Sequence, residues 1–268
     1  MLDQTYRFRG QAVRFGITGS GPPAVFVHGT PFSSHVWHQI IPRVSAIRTV
    51  YAFDLLGYGQ SEKAEGDVSL GVQNLLLAEL LAHWQLARPD VIAHDFGGAT
   101  ALRAHLLDDC DYRSLTLIDP VALAPWGSPF VAHVRQHQAA FAGIPPYIHR
   151  AIVAAYLRDA IARPLADTEL EPYVAPWLGS DGQAGFYRQI AQMDQKYTDA
   201  IATRLGAVRC PTQILWGEED RWIPPERGRL LQQLIPAARL EIVPRAGHLV
   251  QEDAPEVIVA ALLAFLSE

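Results

Sequence analysis

The stretch Val91-Ile92-Ala93-His94-Asp95-Phe96-Gly97-Gly98 constrains this chain most. Pro89-Asp90 precedes three apolar residues, which read as a short buried strand. After Gly98, Ala99, Leu102 and Leu106 recur at helical spacing. A strand that runs straight into a helix leaves no room for bulk where the two backbones close in, and the paired glycines supply that room. The residue at the apex, Asp95, is then held out past the end of the sheet, with the helix N-terminus aimed at the same spot. Read by itself the octamer has a second account, in which Asp95 only caps the helix. The surrounding chain decides between them.

Upstream, Tyr6 to Arg9 and Ala12 to Ile17 read as an opening hairpin closed by Pro22-Pro23. Residues 24–28 form a buried strand, and Trp37 to Val44 a helix. Thr49 to Phe53 is the next strand, and Leu70 to Leu86 a long amphipathic helix. Downstream of the octamer, Ser114 to Ile118 is a strand that ends at Asp119-Pro120. Between Val121 and Leu205 no strand is evident, and prolines at 125, 129, 145, 146, 164, 172 and 176 break a series of helical stretches. Thr212 to Trp216 and Arg239 to Val243 resume the strands, each followed by a helix. The alternation predicts an α/β fold, with a mostly parallel central sheet flanked by helices. It divides the chain into a core, 1–120 and 206–268, and an inserted helical cap, 121–205.

At 268 residues, 49% of them apolar, the chain can bury one large core. A net charge of −6 with no basic stripe speaks against nucleic acid. No apolar run approaches the roughly 18 residues of a membrane helix, and the start has no signal-peptide apolar region. Two cysteines make no disulfide framework, so a cytoplasmic home is expected. No His-x-x-x-His pair with a carboxylate suggests a metal, and Gly19-Ser20-Gly21 is a turn rather than a phosphate loop.

Asp95, Asp220 and His248 each follow a strand, where open α/β sheets place their sites. Their order, nucleophile then acid then histidine, is the triad order of α/β-hydrolases, and the octamer stands in for the G-x-S-x-G elbow, with Asp at the apex and Ala93 in place of the first glycine. With His28-Gly29-Thr30-Pro31, residues 54–61 (DLLGYGQS), Trp216-Gly217-Glu218-Glu219-Asp220 and Gly247-His248, the chain resembles an α/β-hydrolase over nearly its whole length. The Asp apex resembles the branch that holds epoxide hydrolases, haloalkane dehalogenases and fluoroacetate dehalogenases. A carboxylate is a poor nucleophile at a carbonyl but can displace a leaving group at saturated carbon to form an alkyl ester. The resemblance implies Asp95 as nucleophile, His248 as the base that activates water, Asp220 as the orienting acid, and the N–H groups of Thr30 and Phe96 as oxyanion hole. It implies no cofactor and no metal, and a small, mainly apolar substrate together with water.

The leaving group divides the branch. An epoxide oxygen needs a proton donor, and Gly185-Phe186-Tyr187-Arg188 resembles the epoxide hydrolase segment that carries one, which makes Tyr187 the candidate with Tyr147 as a second. A halide needs N–H donors. Residues 28–37 are similar to the dehalogenase form, but Thr30 and Phe96 replace its usual donors, leaving the indole of Trp126 to serve. Phe96, Trp126, Phe130, Phe141, Tyr147 and Trp177 suggest an apolar pocket. Asp119 is an alternative acid, at the position some haloalkane dehalogenases use. Epoxide hydrolysis is the expectation, haloalkane or haloacid dehalogenation the alternative, and a non-catalytic small-molecule receptor on the same fold the third reading.

Overall fold

A computed structural model describes residues 2–63 and 65–268. In chain order the strands are β1 Gln4–Phe8, β2 Gln11–Gly19, β3 Pro23–Val27, β4 Thr49–Phe53, β5 Asp90–His94, β6 Ser114–Ile118, β7 Thr212–Gly217 and β8 Arg239–Val243. They form one sheet in the order β1-β2-β4-β3-β5-β6-β7-β8. The pairs β1–β2 and β2–β4 are antiparallel, and every pair from β4 across to β8 is parallel. This is the α/β-hydrolase fold.

The helices are α1 Ile41–Val44, α2 Leu70–His83, α3 Phe96–Leu107, α4 Pro129–Ala142, α5 Pro146–Asp159, α6 Asp167–Val174, α7 Gly179–Ala191, α8 Lys196–Ala202, α9 Glu226–Leu234, α10 Val250–Asp253 and α11 Pro255–Phe265. Helices α4 to α8 all fall between β6 and β7. One expected helix is different. Over Trp37 to Val44 the chain makes a 3-10 turn, Ser34–Trp37, and then the four-residue α1. Pro42 sits in its first turn, where a missing N–H costs nothing, and cannot continue a helix begun earlier.

The central strands β3, β5 and β6 are buried at almost every position, which is why they read as unbroken apolar runs rather than alternating ones. Their register brings the carboxyl ends to one edge: Val27 pairs with Ala93, His94 with Ile118, and Gly217 with Val243. From β3 the chain moves outward to β4, then returns to the other side of β3 with β5. Ligands of open α/β sheets bind in the crevice at such a switch point, here between Thr30 after β3 and Asp95 after β5. The opposite end of β5 is pinned separately. Asp90 is buried, pairs with Arg48 at 2.9 Å and accepts from the Ser114 hydroxyl at 2.7 Å.

Candidate active site

Asp95 carries backbone angles of φ 50° and ψ −118°, a region an L-residue enters only when its surroundings hold it there. Its own N–H donates to the Ile118 carbonyl at 3.1 Å, and its carbonyl accepts from the N–H groups of Gly98 and Val121. The glycine requirement is steric. A Cβ on Gly97 would lie 2.2 Å from the Val27 carbonyl oxygen, and one on Gly29 would lie 2.4 Å from the Asp95 Cβ. The position two before Asp95 tolerates Ala93, which is fully buried in β5.

The turn delivers the Asp95 carboxylate to two partners. The Thr30 N–H donates to Oδ1 at 2.7 Å. His248 Nε2 stands 3.3 Å from Oδ2, off hydrogen-bond alignment. On its other side His248 Nδ1 shares a 2.8 Å hydrogen bond with Asp220 Oδ2, while Asp220 Oδ1 accepts from the N–H groups of Trp222 and Ile223 at 2.8 and 2.9 Å. Asp220 is therefore the acid in contact with the imidazole. Asp119, the alternative, lies beside it: fully buried, with Oδ1 taken by the Gly217 N–H at 2.9 Å and, among the described residues, no hydrogen-bond partner for Oδ2. One ligand-type atom from each of Asp119, Asp220 and His248 lies within 4.8 Å of the others.

Burial opposes a charge on His248, but Asp220, by its charge and its hydrogen bond, together with Asp95, outweighs that and holds the imidazole well above its ordinary value. His94, next to the elbow, goes the other way. Burial, aided by repulsion from His248, pushes it down to about 3, and its Nε2 meets the His248 carbonyl at 3.0 Å. It is a neutral support for the histidine loop. That loop is also tied from α10, where the Asp253 carboxylate accepts from the N–H groups of Gly247, Ala162 and Arg163 at 2.8 to 3.0 Å.

Above the triad is a small cavity of about 30 Å³. Thr30, Asp95, Phe96 and Val121 line it from the first half of the core, Trp222 and Ile223 from the loop after β7, and Trp126, Gly127, Ser128, Val131, Tyr156 and Met193 from the inserted segment. No lysine, arginine or histidine is among them. The two candidate tyrosines lie away from the lining of this cavity. Tyr147 lies in the first turn of α5 and is 73% exposed. Tyr187 is buried in α7, but its hydroxyl is spent on His149 Nδ1 at 3.0 Å, since His149 Nε2 must donate to the Trp177 carbonyl. Neither lines the cavity. Trp126 does, yet its indole N–H donates to Thr198 Oγ1 at 2.8 Å and so does not point at a leaving group. Phe130, Phe141 and Trp177 are not in its wall: Phe130 packs on Phe141 and Tyr156, and Trp177 on Phe186.

The tyrosine that lines the cavity with Asp95 is Tyr156 of α5. Its ring stacks on Trp222 with centroids 4.5 Å apart and 16° between planes, and Trp222 in turn lies 4.9 Å from the His248 ring. Burial, reinforced by the Asp95 charge, keeps its phenol protonated far above the ordinary value. The signal for it was present: Tyr156 lies three residues after the buried Val153, on the inward face of its helix. Trp222 was legible as a neighbour of the site from its place two residues after Asp220.

A model of the alpha/beta hydrolase family matches residues 24–261. The 2-hydroxy-6-oxo-2,4-heptadienoate hydrolase of Pseudomonas putida is 28% identical over 269 residues, covering 93% of this chain and 90% of that protein. The haloalkane dehalogenase of Mesorhizobium japonicum is 26% identical over 266 residues, covering 93% and 85%. A crystal structure of an alpha/beta hydrolase fold protein from Burkholderia ambifaria superposes with a TM-score of 0.97 at 55% identity, over 98% of each chain.

Proposed function

The chain belongs to the alpha/beta hydrolase family, and from that premise we propose that it is an epoxide hydrolase working through a covalent ester on Asp95. The observation that carries this reading is Tyr156, a protonated phenol in the wall of the same cavity as the Asp95 carboxylate. In the first step an Asp95 oxygen attacks an epoxide carbon and the ring C–O bond breaks. Tyr156 gives its proton to the departing oxygen, leaving a hydroxyalkyl ester and a tyrosinate.

Esterification removes the Asp95 charge, one of the influences that hold His248 protonated. Its proton then restores Tyr156, and the imidazole becomes a base only once there is an ester to hydrolyse. Neutral His248 takes a proton from water, and the hydroxide adds to the Asp95 carboxyl carbon. The negative charge develops on Oδ1, where the Thr30 N–H already points; Phe96, first residue of α3, supplies the second donor. Collapse expels the diol oxygen, which takes the carboxyl proton, and His248 is left protonated as at the start.

Two features set this above the alternatives. A departing halide needs unpaired N–H donors, but the indoles of Trp126 and Trp222 are engaged by Thr198 and Asp159. A substrate carboxylate, as in a haloacid or a dienoate, would need a cation that the cavity wall lacks. Haloalkane dehalogenation is the second reading, supported by the relative that carries that name. The deciding experiment is Tyr156→Phe assayed with epoxides and bromoalkanes. Epoxide turnover should fall by about 10²–10⁴-fold. Unchanged epoxide turnover, or an equal loss with bromoalkanes, would refute the role of the phenol.

A further inference from the structure

We propose that Asp119 is carried as the neutral carboxylic acid and donates its proton to Asp220, as a positioning residue for the triad acid. Asp95 and Asp220 flank the imidazole of His248 at 3.3 and 2.8 Å, and a carboxyl oxygen of Asp119 lies within 4.8 Å of both Asp220 and His248. Asp119 is fully buried, and its Oδ1 accepts the Gly217 N–H at 2.9 Å. Among the described residues no donor reaches its Oδ2, although it is sealed from water. A buried anionic oxygen without a donor is strongly disfavoured, and Asp220 lies beside it. A proton on Oδ2 resolves both problems, because it converts an orphan acceptor into a donor and two facing anions into a charge-assisted hydrogen bond.

The groups that face Asp119 agree with this. From the end of β7 come Gly217 and Asp220, and from the loop after β8 comes His248. His248 is already bonded to Asp220 through Nδ1, and its charge, with the Gly217 N–H, offsets only part of the push on Asp119. His94, beside His248, is neutral. Burial and repulsion by Asp220 both push the Asp119 carboxyl up. The backbone at Asp119, with φ 41°, is held in the left-handed region, so the side chain is aimed by the same strand end that starts the inserted segment.

The consequence for the triad follows from the direction of that hydrogen bond. A donor on Asp220 draws charge from the carboxylate that faces Nδ1, so it limits how firmly the imidazole keeps its proton. The Asp119→Asn variant keeps an acceptor for Gly217 and offers an N–H to Asp220, so it mimics the protonated acid. The Asp119→Ala variant removes the donor. With an epoxide substrate, Asp119→Asn should retain turnover within about threefold. Asp119→Ala should lose about 10–100-fold, the size of one charge-assisted hydrogen bond, and its acid limb of kcat should move to higher pH.

The inference rests on reading Asp220 and His248 as acid and base, so a readout without substrate accompanies the kinetics. Infrared spectra at neutral pH should show the carbonyl stretch of a protonated carboxyl that disappears in Asp119→Asn. A missing band, or Asp119→Asn as damaged as Asp220→Asn, would show an ionised Asp119 and overturn the proposal. Equal losses and equal pH profiles for the Asn and Ala variants would overturn the positioning role. If Asp119→Ala does not fold, the band and the Asn variant still decide. A band with no turnover of any epoxide would count against the substrate reading alone.

Discussion

Two halves of one cavity wall are built in different ways. On the core side, Thr30 and Asp95 line the wall, Asp220 and His248 lie next to Asp95, all in loops just past strand ends, and hydrogen bonds fix them: Asp95 N–H to the Ile118 carbonyl, Thr30 N–H to the Asp95 carboxylate, Trp222 and Ile223 N–H to Asp220, and Asp220 to His248. On the inserted side, Tyr156 is placed by ring packing against Trp222 and Phe130, at centroid distances of 4.5 and 5.0 Å. Hydrogen bonds of the first kind have narrow geometry and require particular residues next to them. Packing of the second kind accepts many side chains of similar volume. In the proposed reaction the nucleophile and base lie on the half fixed by hydrogen bonds, and the proton donor Tyr156 on the half fixed by packing.

The joint between the halves is Trp222, which stacks on Tyr156 of α5, bonds Asp159 of the same helix through its indole N–H at 3.1 Å, and covers the His248 ring. The comparison is broken most severely there. Trp222→Ala should lower epoxide turnover by about 10²-fold through misplacement of Tyr156, while His248→Ala carrying the same change should still form an ester slowly. Steady-state kinetics with hydrogen exchange over residues 146–159 measure both sides. Turnover within threefold of the parent would show that Tyr156 is not placed by this stack.

A smaller effect separates the two tyrosines of the insertion. Tyr187→Phe should leave kcat within about threefold, because its hydroxyl serves His149 and not the cavity. It should cost about 1 kcal/mol of stability, the net value of a buried hydrogen bond whose partner is left unsatisfied. A urea titration checks this, and a hundredfold fall in kcat with unchanged stability would return the catalytic role to Tyr187.

An effect on stability alone, with none expected on turnover at neutral pH, lies under the core half. His94 is held neutral down to about pH 3, whereas in the unfolded chain it takes a proton near 6.5. Below pH 6.5 the unfolded state therefore binds the extra proton, and this contribution to stability is lost as pH falls from about 6.5 towards 3, at no more than about 1.4 kcal/mol per pH unit. In His94→Gln the urea midpoint should fall less steeply over pH 6 to 4. An identical slope would show that His94 titrates normally in the folded protein.

The same contrast explains what could be read in the chain. The strand ends were legible because Gly97 has no alternative beside the Val27 carbonyl and because buried parallel strands are unbroken apolar runs. That Asp220 rather than Asp119 touches His248 required three dimensions, since both follow strands of adjacent register, and one hydrogen bond of 2.8 Å decides between them. In the insertion, local likeness pointed to Tyr187, one residue along from Phe186, and both are fully buried. Which buried ring reaches the cavity depends on how α5 and α7 lie across the sheet edge, and no short segment carries that information. Tyr156 could have been raised by its spacing from Val153, but many inward-facing residues share that spacing. Among the described residues no helix is long and apolar enough to cross a membrane.

The covalent step is tested most directly by intact mass of His248→Ala after incubation with an epoxide. The account predicts a gain equal to the whole epoxide, localised to Asp95 and absent from Asp95→Asn/His248→Ala. A gain equal to an alkyl group after incubation with a bromoalkane, with no gain from any epoxide, would replace the epoxide by a halide as leaving group. Epoxide turnover that survives Asp95→Asn, with no adduct at any time, would contradict the covalent mechanism itself.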